Sequence, residues 1–295
     1  MFGRAARRNP CVVGVELDES TASLAIVYDS DDQGIAACME TPIGDLASEI
    51  FAAGLSGAAC NIVLSPGDVM IMQSPKPSVP EEEVDEALRW SIRDALDFPV
   101  DDAVIEHFDV PEDALRGKSP VANVVVARRG RLLEELQLVR SAGLVVNAID
   151  VPELALRNLL SRYVEPGKTI GLLLVETNRS IMLLFKDELL YLSRTITIDP
   201  SIASGNFDQG ALDQLCLEIQ RSQDYLESQL GQAPPSLMLI AAGAATHALA
   251  EAVDANMGLR VEGLTIGELG AGAADALESP AMLRAFGAAL RGVDR

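Results

Sequence analysis

TIGLLLVETNRSIMLLFKDELLYLSRTI, residues Thr169–Ile196, packs three strand patterns into one short stretch. Ile170–Val175 is an unbroken apolar run before Glu176, the pattern of a strand covered on both faces at the centre of a sheet. Ile181–Phe185 and Leu189–Ile196 follow as a hairpin turned at Lys186-Asp187-Glu188. Downstream, a helix over Ala211–Leu230 carries Leu212, Leu215, Cys216, Ile219, Leu226 and Leu230 on one face, and Gly231 supplies its stop. Leu237–Ala241 reads as a strand, Ala245–Ala255 as a helix and Leu259–Ile266 as a last strand. A helix over Ala281–Leu290 closes the chain.

The opening of the chain has the same order. Cys11–Leu17 and Thr21–Tyr28 are apolar runs about the turn Asp18-Glu19-Ser20, and Ile35–Glu40 is a third. A short helix over Asp45–Leu55 and a strand at Asn61–Leu64 follow. Two halves that each begin with a three-strand meander and then alternate helix and strand imply an internal structural duplication. Between them, 69–149 reads β-α-β-β-α-β, a small module. Its first helix, Val79–Leu96, has Ser78 and Glu81 at the spacing of a capping box, with Glu81, Glu82 and Glu83 at the positive helix end. Val84, Leu88, Ser91 and Ala95 form its inward stripe, leaving Trp90 off it. Pro152 suits the first turn of the helix that leaves the module.

The 295 residues are enough for two domains with sizeable cores. A hydrophobic content of 48% and a mean hydropathy of +0.20 exclude a mainly disordered chain. The net charge of −21 argues against binding nucleic acid or adsorbing to an anionic membrane. Cys11, Cys38, Cys60 and Cys216 lack metal-ligand spacing and read as small hydrophobes in a reducing compartment. His107 and His247 are too far apart in sequence to suggest zinc; a serine triad stays open, though no G-x-S-x-G elbow supports it. Ser236–Ala250 is too short to span a bilayer. The N-terminal Arg4, Arg7 and Arg8 read as a solvated tail, and the chain as cytoplasmic.

VPEEEVDEALRWSIRDALDFPVDDAVIEHFDV (Val79–Val110) resembles a stretch of the PilM family of type IV pilus assembly proteins, in which an E-x-x-x-A-x-R-W helix precedes a Phe-Pro turn and an extended strand. Val124–Leu160, Leu217–Leu230 and FGAALR (Phe286–Arg291) continue the likeness, which is strongest toward the MshI branch from mannose-sensitive haemagglutinin (MSHA) pilus systems. The resemblance spans nearly the whole chain beyond Asn9. It implies an actin-like (FtsA/PilM-like) α/β fold of two ribonuclease-H-like halves with a small inserted module. The expected division is 11–68 for the first part of domain 1, 69–149 for the module and 150–168 for a helix returning to domain 1. Domain 2 is expected over 169–267, and 280–292 as a helix packing back on domain 1. The resemblance also implies a cytoplasmic protein that holds the N-terminal tail of a PilN-like single-pass inner-membrane partner, alongside other pilus assembly components.

Members of that family bind ATP between their halves, through two phosphate-clamping turns and a Gly-rich adenosine turn. Such turns need small residues so that backbone N–H groups reach phosphate. The first turn falls on Glu16, Leu17, Asp18, Glu19 and Ser20, where carboxylates replace the small residues. The second falls on Glu176, Thr177 and Asn178, without its glycine. The third falls on Ala241, Ala242 and Gly243. Glu16, Asp18 and Glu176 are either ligands of a divalent cation or solvated turn residues of a retired pocket. The retired pocket is the favoured reading, with no cofactor, no metal and no enzymatic activity. The rival readings are an ATP-binding actin-like ATPase or kinase, and the cytoplasmic part of a type II secretion L-type protein. The latter continue into a membrane span, whereas this chain ends four residues after Arg291. The partner groove is expected at the module, with Leu88, Trp90, Ile92, Phe98 and Pro99 in it; a core role competes for Trp90.

Overall fold

The duplication shows in the strand order. The computed structural model describes residues 11–28, 36–161, 163–177, 180–267 and 279–292. β1 (Cys11–Leu17), β2 (Thr21–Tyr28) and β3 (Ala36–Pro42) form an antiparallel meander, α1 (Leu46–Ala52) follows, and β4 (Ala59–Val63) returns parallel to β1. Next come β5 (Val69–Pro75), α2 (Val84–Ile92), β6 (Ala103–Asp109), α3 (Glu112–Leu115), β7 (Val121–Arg128), α4 (Arg129–Ser141), β8 (Val145–Asp150) and α5 (Pro152–Leu160). The second half has β9 (Thr169–Leu174), β10 (Ser180–Lys186), β11 (Leu189–Ile196), α6 (Pro200–Ser204), α7 (Gln209–Leu230), β12 (Leu237–Ala241), α8 (Thr246–Met257) and β13 (Val261–Gly263), and α9 (Pro280–Ala289) closes the chain. One sheet runs β3-β2-β1-β4-β8 and the other β11-β10-β9-β12-β13, the same order twice. In each, a meander is extended by two parallel strands, which need helical crossovers.

The module is smaller than the 69–149 expected. β8 pairs parallel with β4 in the first sheet, and Val139 and Ala142 near the end of α4 are buried in that sheet's core. α4 and β8 are the crossover and strand that β4 requires next, the counterpart of α8 and β13. The module interrupts that step, and local periodicity identifies a strand without its partner. What remains is the antiparallel sheet β5-β7-β6 with α2 against it, around Val84, Leu88, Ile92, Ile105 and Val124. By compactness the chain divides into Met1–Val63, Leu136–Leu159 and Ile266–Arg295 as one unit and Leu64–Glu135 with Leu160–Thr265 as the other, taken over their described residues.

Two expectations for α2 are corrected. Glu81–Glu83 form a separate 3-10 turn entered through Pro80, and no side chain caps it, so Ser78 completes no capping box. Glu81 instead joins Lys76 (3.2 Å) to His107 (3.2 Å). The inward stripe is Val84, Leu88 and Ile92; Ser91 is exposed within α2, and Ala95 is exposed in the 3-10 turn that follows Ile92.

In the first unit, α9 lies directly on β1 and β2. Small residues permit it: Gly14 of β1 faces the backbone of Ala285, and Gly287 of α9 faces the backbone of Ala155 in α5. Asn61 and Asn158 donate to the Ala288 and Gly287 carbonyls at 2.9 and 3.0 Å. Cys60 is buried in the adjoining core, and burial pushes its thiol up to about 12.

In the second unit β9 is buried along its whole length, as its apolar run predicts. Gly231 ends α7 with φ +67, and the Gln232 N–H closes on Leu226 O. The β10–β11 turn places both Asp187 (φ 48) and Glu188 (φ 65) in the left-handed region, where glycine is favoured. The Asp187 carboxylate accepts the Gly167 N–H at 2.7 Å, which ties that residue to the turn. Glu188→Gly should therefore stabilise the protein by about 1 kcal/mol, read as a higher urea midpoint at unchanged m-value; a lower midpoint would contradict the strain.

Candidate functional site

The first expected phosphate turn is the β1–β2 connection. Glu16 is not solvated there: it is 3% exposed, and Arg284 of α9 grips both its oxygens, Nε to Oε2 at 2.7 Å and Nη2 to Oε1 at 2.8 Å. A carboxylate so held is committed to a guanidinium. Asp18, Glu19 and Ser20 are exposed. The Glu19 N–H donates to Asp18 Oδ1 at 2.7 Å and the Asp18 N–H to Thr21 O at 2.9 Å. Two N–H groups of this turn are thus satisfied within it, one of them by the Asp18 carboxylate.

The other two turns belong to the second unit. Glu176 follows β9 and is half-buried; its N–H donates to Ser180 Oγ at 3.2 Å, and that hydroxyl donates back to Glu176 O. Asn178 lies outside the described residues. Gly243 follows β12, the strand paired with β9, and has φ +54. Thr246 closes that turn: its hydroxyl accepts the Ala242 N–H at 2.9 Å and donates to Gly243 O at 2.7 Å. Among the described residues no three His, Cys, Asp or Glu side chains form a metal-binding group. The ring nitrogens of His107 face Asp85 (2.6 Å) and Glu81 (3.2 Å), an arrangement that leaves no place for a serine partner.

The five residues expected at the partner groove separate. Leu88 and Ile92 are core residues of the module. Trp90 points outward at 60% exposure, with Arg93 5.9 Å from its ring, so its core reading is overturned. Pro99 is exposed and Phe98 half-buried, with the Arg128 guanidinium 4.0 Å above the Phe98 ring. Phe98 also lines a pocket of about 150 Å³, together with Met70, Val126 and Arg128 and the carboxyl residues Asp68 and Asp97. Asp97 is held by Arg128 at 3.0 Å and Asp68 by Arg131 at 3.1 Å. Met70, Val126 and Arg128 were not foreseen as lining residues. The available signal was VMIM, Val69–Met72, an uncharged apolar run that is only partly buried on β5, at the edge of its sheet.

No protein-family profile matches the chain, and no curated protein matches it in sequence. Solved structures do match. A chain of the PilM–PilN type IV pilus biogenesis complex aligns over 96% of this chain and 99% of its own, with TM-score 0.72 at 22% identity. The cytoplasmic domain of EpsL, an inner-membrane component of the Vibrio cholerae type II secretion system, aligns over 78% and 82%, with TM-score 0.52 at 13% identity. A Bacteroides thetaiotaomicron protein with an actin-like ATPase fold and unknown function aligns over 90% and 94%, with TM-score 0.51 at 9% identity. The fold is actin-like. No helix among the described residues is long and apolar enough to cross a membrane.

Proposed function

We propose that the chain is a non-enzymatic scaffold of type IV pilus biogenesis, of the MshI kind, that holds the cytoplasmic tail of a PilN-like inner-membrane protein. The observation that carries this reading is the likeness to a chain of the PilM–PilN complex over almost the full length of both chains. In this reading the protein is cytoplasmic and reaches the inner membrane through that partner.

The tail docks on the module, where Phe98 lines the pocket and Trp90 of α2 faces outward. Phe98 and Trp90 both offer ring surface to a ligand, and aromatic anchors dominate binding energy at interfaces. Phe98→Ala and Trp90→Ala should each weaken binding of the partner's tail peptide by ~2 kcal/mol, roughly thirtyfold; Trp90→Ala leaves the fold intact, whereas Phe98→Ala also trims packing on the module core. Calorimetry gives the affinity, and the fluorescence of Trp90, the single tryptophan, follows binding in the wild type. Wild-type affinity in both folded variants would remove the tail from this surface. Leu88 and Ile92 are unsuitable probes, because truncating either opens the module core.

The absence of ATPase activity is supported by the self-satisfied β1–β2 turn, its exposed carboxylates and the Arg284 grip on Glu16. A second reading, an actin-like ATPase, draws on one observation: Gly243 keeps its left-handed backbone in the turn assigned to adenosine. Titration with MgATP separates the two. No binding heat and no phosphate release are expected; low-micromolar affinity would establish the second reading.

A further inference from the structure

The connection between β6 and β7 leaves the module's sheet and enters the core of the second half. Val110 and Ala114 are buried in the same cluster as Leu173, Met182, Tyr191 and Ile240, and Pro111 between them is buried as well. α3, inside this connection, carries Asp113. Its Oδ1 accepts from the Tyr191 hydroxyl at 2.7 Å, and its Oδ2 accepts from Lys186 Nζ at 3.1 Å and Gln232 Nε2 at 3.2 Å. Gln232 Oε1 accepts from the same Lys186 at 2.9 Å, closing the network. Partial burial alone would raise the Asp113 carboxyl, but the hydrogen bonds from Tyr191 and Lys186 outweigh it and hold it below its ordinary value.

Arg116 makes a second attachment. It ends α3 in the left-handed region (φ 51, ψ 41), a conformation that costs a non-glycine residue energy. Its Nη1 donates to Ser228 O, in the last turn of α7, at 2.9 Å. Its Nε stands 3.2 Å from where a Cβ on Gly231 would be, so the glycine that stops α7 also admits this side chain.

We infer that residues 110–120 are a strap that makes the module mechanically part of the second half, although the chain inserts the module within the first. The β6–β7 hairpin is the arm the strap holds. Its pairs run from Ala103↔Arg128 to Asp109↔Ala122, roughly 20 Å of ladder. Val126, Ala127 and Arg128 line the pocket at one end, and the strap leaves from the other. Whatever seats in that pocket is carried on an arm rooted in the second half.

Hydrogen exchange on the full chain without ligand tests this, with Trp90 as the module's own fluorescence reporter. In the wild type, amides of β6 and β7 should open together with those of β10 and β11, and separately from β1, β2 and β4. In Asp113→Ala, β6 and β7 amides should exchange at least tenfold faster while β9 and β12 keep their protection, and the Trp90 melting transition should fall below that of far-UV circular dichroism. Tyr191→Phe, which removes one hydroxyl, should give a smaller shift in the same direction and serves if Asp113→Ala fails to fold. The inference is overturned if the module opens with β1, β2 and β4, or if the variants leave the Trp90 transition unchanged. Equal acceleration of the module and β9–β12 also overturns it.

Discussion

Replacing Arg284 with methionine should destabilise the first unit by about 3–5 kcal/mol, the range for breaking a buried ion pair from one side. Glu16 and Arg284 are 3% and 5% exposed, and both carboxylate oxygens are engaged, at 2.7 and 2.8 Å. Without the guanidinium the buried carboxylate loses its counter-charge, and its desolvation is no longer offset. The double variant Glu16→Met/Arg284→Met should recover most of the loss, because an apolar pair of similar volume escapes the desolvation of two ions. Urea unfolding of the wild type, both single variants and the double variant completes the cycle. If Arg284→Met lies within about 1 kcal/mol of wild type, the pair has no structural weight. The same series bears on function: under the scaffold reading, MgATP raises the melting temperature of none of these proteins.

Gly14→Ala should cost about 3 kcal/mol, at the upper end of the overpacking range, because the added methyl group has no free space. An ideal Cβ at Gly14 stands 1.8 Å from Ala285 O and 2.6 Å from Ala289 N, both backbone atoms of α9. No rotamer change relieves that clash, so α9 must move off β1. The movement pulls against the bonds from Asn61 and Asn158 to the Ala288 and Gly287 carbonyls. Gly171, at the corresponding strand of the second half, is the control. Its Cβ would meet Met238 Cε and Sδ at 2.5 and 2.6 Å, the far end of a flexible side chain. Gly171→Ala should stay below about 1.5 kcal/mol as methionine re-packs. Equal losses in thermal unfolding for the two variants would show that α9 is not seated on β1 as described.

Much of the candidate site was legible in residue types, and less of it in their roles. The carboxylates at Asp18 and Glu19 make the β1–β2 turn read as unlike a phosphate clamp; in the structure Asp18 Oδ1 accepts the Glu19 N–H. Glu16 looked the same in sequence, yet it is buried, because its partner Arg284 lies 268 residues away on the last helix. Trp90 was readable as off the apolar stripe of its helix. The stripe itself is Val84, Leu88 and Ile92, spaced four apart, with Ser91 exposed within α2 and Ala95 exposed beyond it. Phe98 was in view, while Met70, Val126 and Arg128 joined it only because β5 and β7 are neighbours in a sheet.

The sequence by itself determined the two meanders, the long helix stopped by Gly231, and the helix opened by Pro152. Those features rest on patterns within a few residues: apolar runs bounded by turns, a left-handed glycine and a proline's fixed φ. Only the tertiary structure decided that β8 completes the first sheet, that Arg284 neutralises Glu16, and that Asp113 ties the module to Lys186, Tyr191 and Gln232. Each of these joins groups far apart in the chain. A strand's hydrogen bonds and a buried charge's compensation demand a partner without specifying which one, and that choice is made when the whole chain packs.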